Sequence, residues 1–188
     1  MGSFFHFLIK YELEIYLWQG ERKMGEPTIS KETVVLEFYS DRFRGDFEDY
    51  FLAEEQVKFT AHPLDALLAC EQDPTRYPVI IFYNGVPAGF FVLHGWEGVK
   101  EYWGNRDAIL LRGYSVNTSF QGRGIAQKSL ELLPAFVKEH FPERNEIILS
   151  VNYGNELAQH VYKKCGFVDK GVRTMGSKGE LFIFHLEL

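Results

Sequence analysis

The stretch SVNTSFQGRGIAQKSLELLPAFVK (residues 115–138) decides how the rest of the chain is read. Upstream, AILLRGYSV (108–116) is an apolar run rich in β-forming residues. Downstream, Ile125, Ser129, Leu130, Leu133, Phe136, Val137 and His140 recur at helical spacing. The turn QGRGIA (121–126) therefore joins a strand to an amphipathic helix. Gly122 and Gly124 let the backbone approach a ligand closely. The unpaired N–H groups of a helix's first turn, with its dipole, suit an anion such as a phosphate or pyrophosphate. A tight turn with glycine for conformational reasons alone is the competing reading, and context must separate the two.

Two common nucleotide-binding patterns fail. A dinucleotide fingerprint needs a third glycine where this chain has Gln127, and an acidic residue at the end of the next strand, where it has Asn152. Glu146 has the right distance but stands at that strand's beginning. No GxxxxGK[ST] phosphate loop occurs.

The turn instead resembles the acyl-CoA pyrophosphate loop of the GNAT superfamily of N-acetyltransferases: Gln or Arg, two residues, Gly, one residue, Gly or Ala. Gln121, Gly124 and Ala126 fill it. A second block, ILSVNYGNELAQHVYKKCGF (148–167), extends the resemblance with the spacing NxxNxxAxxxYxxxGF. The resemblance implies an α/β (α+β mixed) GNAT-like fold over about residues 33–188. That fold has a central mixed, mostly antiparallel sheet flanked by helices, in the order β-α-α-β-β-β-α-β-α-β-β. It further implies that the strands ending at Val116 and Val151 splay apart to admit the pantetheine arm of acetyl-CoA.

Site residues follow from the same resemblance. The main chain of Ser115 and Val116 is implied to face the acetyl group and pantetheine, with a backbone N–H near Val116 serving the oxyanion. Gln121, Gly122, Arg123, Gly124, Ile125 and Ala126 match the pyrophosphate cradle. Asn152, Asn155 and Ala158 match cofactor-binding positions, and Tyr162 matches the general acid that protonates the departing CoA sulfur. A tyrosine at an apolar helix position is by itself more often core; the spacing around Tyr162 favours the chemical role. The general base stays open, because the central strand carries Arg112 and Tyr114 but no carboxylate where many relatives place one. Arg112 either receives an acidic group of the substrate or pairs structurally, and both readings stand.

The remaining elements fit around this centre. Phe5, Phe7, Ile9, Tyr11, Leu13, Ile15 and Leu17 alternate with a more polar set, a strand pattern. Residues 1–23 are thus an N-terminal arm, either an extra strand suited to contacting a second subunit or a start-site extension before a native Met24. Residues 24–188 are read as one domain. TVVLEFY (33–39) is its first strand. Two helices should follow: one within 41–60, with Phe47, Tyr50, Phe51 and Val57 at helical spacing, and one opened by Pro63 and carrying Leu64, Leu67, Leu68 and Cys70. Asn84-Gly85 marks a type I′ hairpin. The loop HGWEGVKEYWGNRD (94–107) is expected to line the acceptor entrance, its aromatic rings and carboxylates suiting a protonated amine. Pro134 should kink the long helix. Leu157, Ala158, Val161 and Tyr162 are expected to face inward on the last helix, which Asn155 caps and Gly166 stops.

Composition narrows the class further. A formal net charge of −6 argues against a nucleic-acid partner, which would require clustered Lys and Arg. No apolar run approaches the roughly 20 residues that span a bilayer, and the opening residues lack a signal-peptide pattern, so a soluble, cytoplasmic protein is expected, with no membrane partner. Cys70 and Cys165 read as buried free thiols, and the six histidines lack ligand spacing, so no metal site is indicated. The expected activity is acetyl transfer from acetyl-CoA to a primary amine of a small molecule, by direct attack through a tetrahedral intermediate, with a homodimer as one expected assembly. Two alternatives stay open: a protein or peptide N-acetyltransferase, and a non-catalytic acyl-CoA sensor.

Overall fold

A computed structural model describes residues 32–188. The alternating segment 5–17 and the boundary at Met24 lie outside these residues. The elements are β1 (Val34–Phe38), a 3-10 turn (Asp41–Phe47), α1 (Glu54–Val57), α2 (Pro63–Glu71), β2 (Arg76–Tyr83), β3 (Val86–His94), α3 (Trp96–Val99), β4 (Ala108–Val116), α4 (Ile125–His140), β5 (Glu146–Asn152), α5 (Glu156–Lys164), β6 (Val168–Gly176) and β7 (Gly179–Glu187). They build one seven-stranded sheet, ordered β1-β2-β3-β4-β5-β7-β6, in which only β4 and β5 run parallel. This is the mixed, mostly antiparallel architecture expected from the sequence.

Both faces of the sheet are covered. On one, α4 buries Ile125, Leu130, Leu133, Phe136 and Val137 against strand residues such as Ile81, Leu93, Ile109 and Leu111. Each such burial contributes roughly 1.5–3 kcal/mol, which together outweighs the penalty of about 3 kcal/mol for a proline inside a helix. The helix accordingly continues through Pro134. On the other face, Phe47, Tyr50, Leu52 and Leu67 pack on Ile80, Phe82, Phe90 and Val92. The β2–β3 turn carries positive φ at Asn84 (51°) and Gly85 (81°), as a type I′ turn requires.

Three expectations need correction. The helix expected within 41–60 is a 3-10 turn, an irregular link and the single-turn α1. Phe47, Tyr50 and Leu52 enter the core at a spacing that no single helix face presents, whereas Phe51 and Val57 are exposed. Leu157 faces outward, 77% exposed, while Ala158, Val161 and Tyr162 are half-buried. The loop 94–107 is not an acceptor entrance. It folds into α3 and packs Trp96, Tyr102 and Trp103 on Leu110, Ile148 and Ile183, under the opposite end of β4 from the glycine turn.

Candidate active site

The site begins where the sheet comes apart. β4 and β5 pair only from Ala108 with Glu146 to Leu111 with Leu149. Two residues further along β4, Gly113 adopts φ +60°, and Gly113 and Tyr114 together oppose the single residue Phe91 of β3. An extra residue in one strand bends that strand and sharpens its twist. β4 thus turns away from β5, which stays paired with β7 through Asn152. A wedge opens between the two parallel strands.

Hydrogen-bond alternation along β4 determines what that wedge receives. Asn117 N–H donates to the carbonyl of Ala88 (2.9 Å), so residues 115 and 117 direct their main-chain groups toward β3. Val116, opposite Gly89 in a non-hydrogen-bonded pair, presents its N–H and its carbonyl to the wedge. Its carbonyl accepts from Gln56 Nε2 at 2.9 Å and, at the limit of hydrogen-bond length, from Gln121 Nε2 at 3.5 Å. Ser115 contributes a side chain instead, its Oγ lying 3.0 Å from the Tyr50 hydroxyl in a buried pair.

The glycine turn forms one mouth of the wedge. Gly122 (φ +75°) and Gly124 (φ +71°) are left-handed, and a Cβ on either would meet no protein atom within 4 Å. Gly124 is the N-cap of α4 and has no side chain to offer, so the first-turn N–H groups of Ile125, Ala126 and Gln127 go uncapped by protein. Tyr114 anchors this turn from beneath, its hydroxyl donating to the Ala126 carbonyl (3.2 Å) and lying 2.6 Å from Ser129 Oγ. Arg123 sits over the rings of Tyr83 and Phe120 at the outer edge.

α5 supplies the opposite wall. Asn155 caps it, its side chain accepting Ala158 N–H at 3.2 Å. Asn152 is committed at both ends, accepting Gly154 N–H and donating to the Lys178 carbonyl, each at 2.9 Å. Ala158 and Tyr162 line the cavity. Tyr162 packs edge-on against Tyr114 and Phe167, and its hydroxyl has no hydrogen-bond partner among the described residues. Burial, with the neighbouring Cys165 thiol adding to it, pushes its pKa up. The hydroxyl is therefore protonated at neutral pH and carries a proton to donate.

Sequence reasoning missed the wall contributed by α1. Gln56 Oε1 accepts from Ala53 N–H (3.1 Å) and Thr118 Oγ1 (3.0 Å), which fixes the amide's orientation and aims Nε2 at Val116. Phe59 and Thr60 complete this wall, and Lys178 of the β6–β7 turn donates to the Val57 carbonyl (3.1 Å). Gln56 follows Ala53 at the spacing of a capping glutamine, the one signal that might have been read for it. Its long-range bond to Val116 has no local signature. Cys70 and Cys165 are free and half-buried, with thiol pKa values raised by burial. No metal-ligand cluster occurs among the described residues.

A cavity of about 760 Å³ joins these parts, from Gln121, Gly124 and Ala126 past Val116 and Tyr162 to Gln56, Phe59 and Thr60. These features fit a coenzyme A thioester. The uncapped turn with open space above its glycines would hold the diphosphate, and the N–H of Val116, its carbonyl being taken by Gln56, would be the main-chain donor facing the thioester arm. Fold and site define an acyltransferase that uses a nucleotide-linked thioester. The model of the acetyltransferase (GNAT) family matches residues 35–167. The chain is 39% identical over 155 residues to the uncharacterized N-acetyltransferase YbbJ of Bacillus subtilis (strain 168), covering 82% of this chain and 97% of that protein. Among solved structures, aminoglycoside acetyltransferase AAC(6')-Ib in complex with coenzyme A and kanamycin is similar with a TM-score of 0.67 at 19% identity, over 82% of this chain and 95% of that one. RimL, a ribosomal L7/L12 alpha-N-protein acetyltransferase, gives 0.63 at 15% identity, over 83% and 91%. The chain belongs to the GNAT acetyltransferase family and is an acetyl-CoA-dependent N-acetyltransferase. No helix among the described residues is long and apolar enough to cross a membrane.

Proposed function

We propose that the protein acetylates a primary amine of a small molecule by direct transfer from acetyl-CoA. The observation that carries this reading is the continuity of the cavity through the sheet: the glycine turn opens on one side of the β4–β5 wedge and the α1 wall on the other, with Val116 and Tyr162 between them. The donor enters from the glycine turn and the amine from α1. The amine nitrogen attacks the thioester carbonyl and Val116 N–H stabilises the oxyanion of the tetrahedral intermediate. As the C–S bond breaks, Tyr162 gives its proton to the departing sulfur, and the proton lost from the substrate nitrogen passes to solvent, from which the phenol is restored. The carboxylates of the cavity, Glu55 and Glu156, stand on α1 and α5 rather than on the strands of the wedge.

The similarity to an enzyme solved with kanamycin supports a small acceptor. A free-thiol release assay across polyamines, amino sugars, amino acids and peptides tests the reading. Turnover of small amines is expected. Turnover confined to peptides would transfer the assignment to protein acetylation, and coenzyme A binding without any turnover would make the protein a sensor.

A further inference from the structure

Arg112 stands on β4 one residue past the last β4–β5 pair and lines the cavity. Its cross-strand partner is Val92, which packs with Phe47, Tyr50 and Leu67. Cross-strand partners share a face of the sheet, so Arg112 projects to the side of the 3-10 turn and α2, away from the glycine helix α4. It is a half-buried cation with no carboxylate within ion-pair distance among the described residues. Its one hydrogen bond runs from Nη1 to His94 Nδ1 at 2.9 Å.

The surroundings hold this guanidinium in place without neutralising it. Asp73, the nearby carboxylate, accepts from Arg76 Nε at 3.1 Å and from Thr75 Oγ1 at 2.6 Å. His94 Nε2 is 2.9 Å from Asp73 Oδ2, though off the ring's donor axis. Burial and the two nearby guanidiniums lower the His94 pKa, so the ring is neutral and Nδ1 accepts from Arg112. Gly98 makes room for this ring, since a Cβ there would fall 2.2 Å from Nδ1. Asp73 is thus committed to Arg76 and Thr75, and Arg112 is left without a carboxylate partner among the described residues. With Nη1 taken, Arg112 keeps its Nε–Nη2 edge, and neither nitrogen is sealed from solvent. That edge matches the two oxygens of a carboxylate.

We infer that Arg112 reads an anionic group of the acceptor, so that the substrate is an amine that also carries a carboxylate. The inference rests on the transfer reading above and names the class of amine that enters from α1. A charge removed from water is unfavourable until paired, and the acceptor's carboxylate completes the pair.

The test uses the full chain saturated with coenzyme A and a series of N-acetyl-ω-amino acids, from N-acetylglycine to N-acetyl-6-aminohexanoic acid, each beside its primary amide. Calorimetry should find at least one acid held roughly 10- to 100-fold more tightly than its amide, the size of a charge-assisted bidentate contact. Arg112→Gln should abolish that difference, and Arg112→Lys should recover only part of it. Acids and amides binding alike, or no acid binding while coenzyme A binds normally, would overturn the anion site and leave the transfer reading intact. Acids held by Arg112 in a protein that does not bind coenzyme A would overturn the transfer reading and keep the anion site.

Discussion

Gln56 and Val116 are separated by 60 residues in sequence and joined by a hydrogen bond of 2.9 Å from the side-chain amide to the main-chain carbonyl. Because Oε1 is held by Ala53 and Thr118, the amide cannot flip without losing two bonds. The acceptor wall is therefore tied to the strand residue whose polar groups face the wedge. Gln56→Glu, nearly the same size, replaces the donor with a second acceptor opposite the carbonyl. We expect the KM for the amine to rise about tenfold, in line with roughly 1–3 kcal/mol for a partly buried unsatisfied pair. Donor affinity should change less than about threefold, because the glycine turn is untouched. Separate titrations of the two substrates check this; a loss confined to the donor would refute it.

Gly124 tests the anion cradle. Its φ of +71° costs a side-chain-bearing residue about 1–2 kcal/mol, and the added methyl would project into space that protein leaves open. Gly124→Ala should lower stability by that amount and weaken coenzyme A about tenfold. Gly45→Ala is the control: its Cβ also meets nothing, but its backbone is not left-handed, so affinity should match the parent and stability should be unchanged or rise by up to about 1 kcal/mol. Thermal melts with and without coenzyme A separate the two effects.

Glu146 ties the far end of the sheet together. It is 4% exposed and accepts from Trp103 Nε1 (2.8 Å), His185 Nδ1 (2.9 Å), Asn105 Nδ2 (3.0 Å) and Lys170 Nζ (3.1 Å). Burial pushes its pKa up, but the bonds from Asn105, His185, Lys170 and Trp103 outweigh it, and the folded-state value lies below the ordinary 4.5. A depressed carboxylate pKa adds stability that is complete above the unfolded value and is lost as pH falls through the folded one. Glu146→Gln should therefore cost about 3 kcal/mol at pH 7, with the gap to the parent narrowing only below about pH 4.5. Denaturant melts from pH 3 to 8 read this directly, and a gap that persists unchanged at pH 3 would contradict it.

The strands and helices around the wedge were legible because their periodicity is local. Residues 108–116 and 125–140 are strand and helix as their patterns indicate, and Asn84-Gly85 takes the turn its residues favour. What the pattern could not carry was long-range competition for the core. Phe51 and Val57 fit a helical stripe with Phe47 and Tyr50, yet it is Leu52 that is buried with Phe47 and Tyr50, and Phe51 and Val57 are exposed. Trp96 and Trp103 have the composition of a binding loop, but Ile148 and Ile183, distant in sequence, needed covering. The contacts of Gln56 and Arg112 likewise run to partners that no spacing rule connects.

Tyr162 carries the chemical step if the transfer reading is right, and its structural contribution is small enough to separate from it. The hydroxyl makes no hydrogen bond among the described residues, so Tyr162→Phe removes no partner and preserves the ring contacts with Tyr114 and Phe167. Stability should stay within about 0.5 kcal/mol of the parent. A general acid typically contributes 10²–10⁴-fold, so kcat should fall by about 100-fold or more for an amine acceptor, while coenzyme A affinity changes by less than about twofold. Because the departing thiolate is the group being protonated, an acyl donor with a more acidic thiol should recover much of the lost rate. A variant that turns over at the parental rate with the natural thioester would return Tyr162 to a packing role, and the proton for the sulfur would then have to come from solvent.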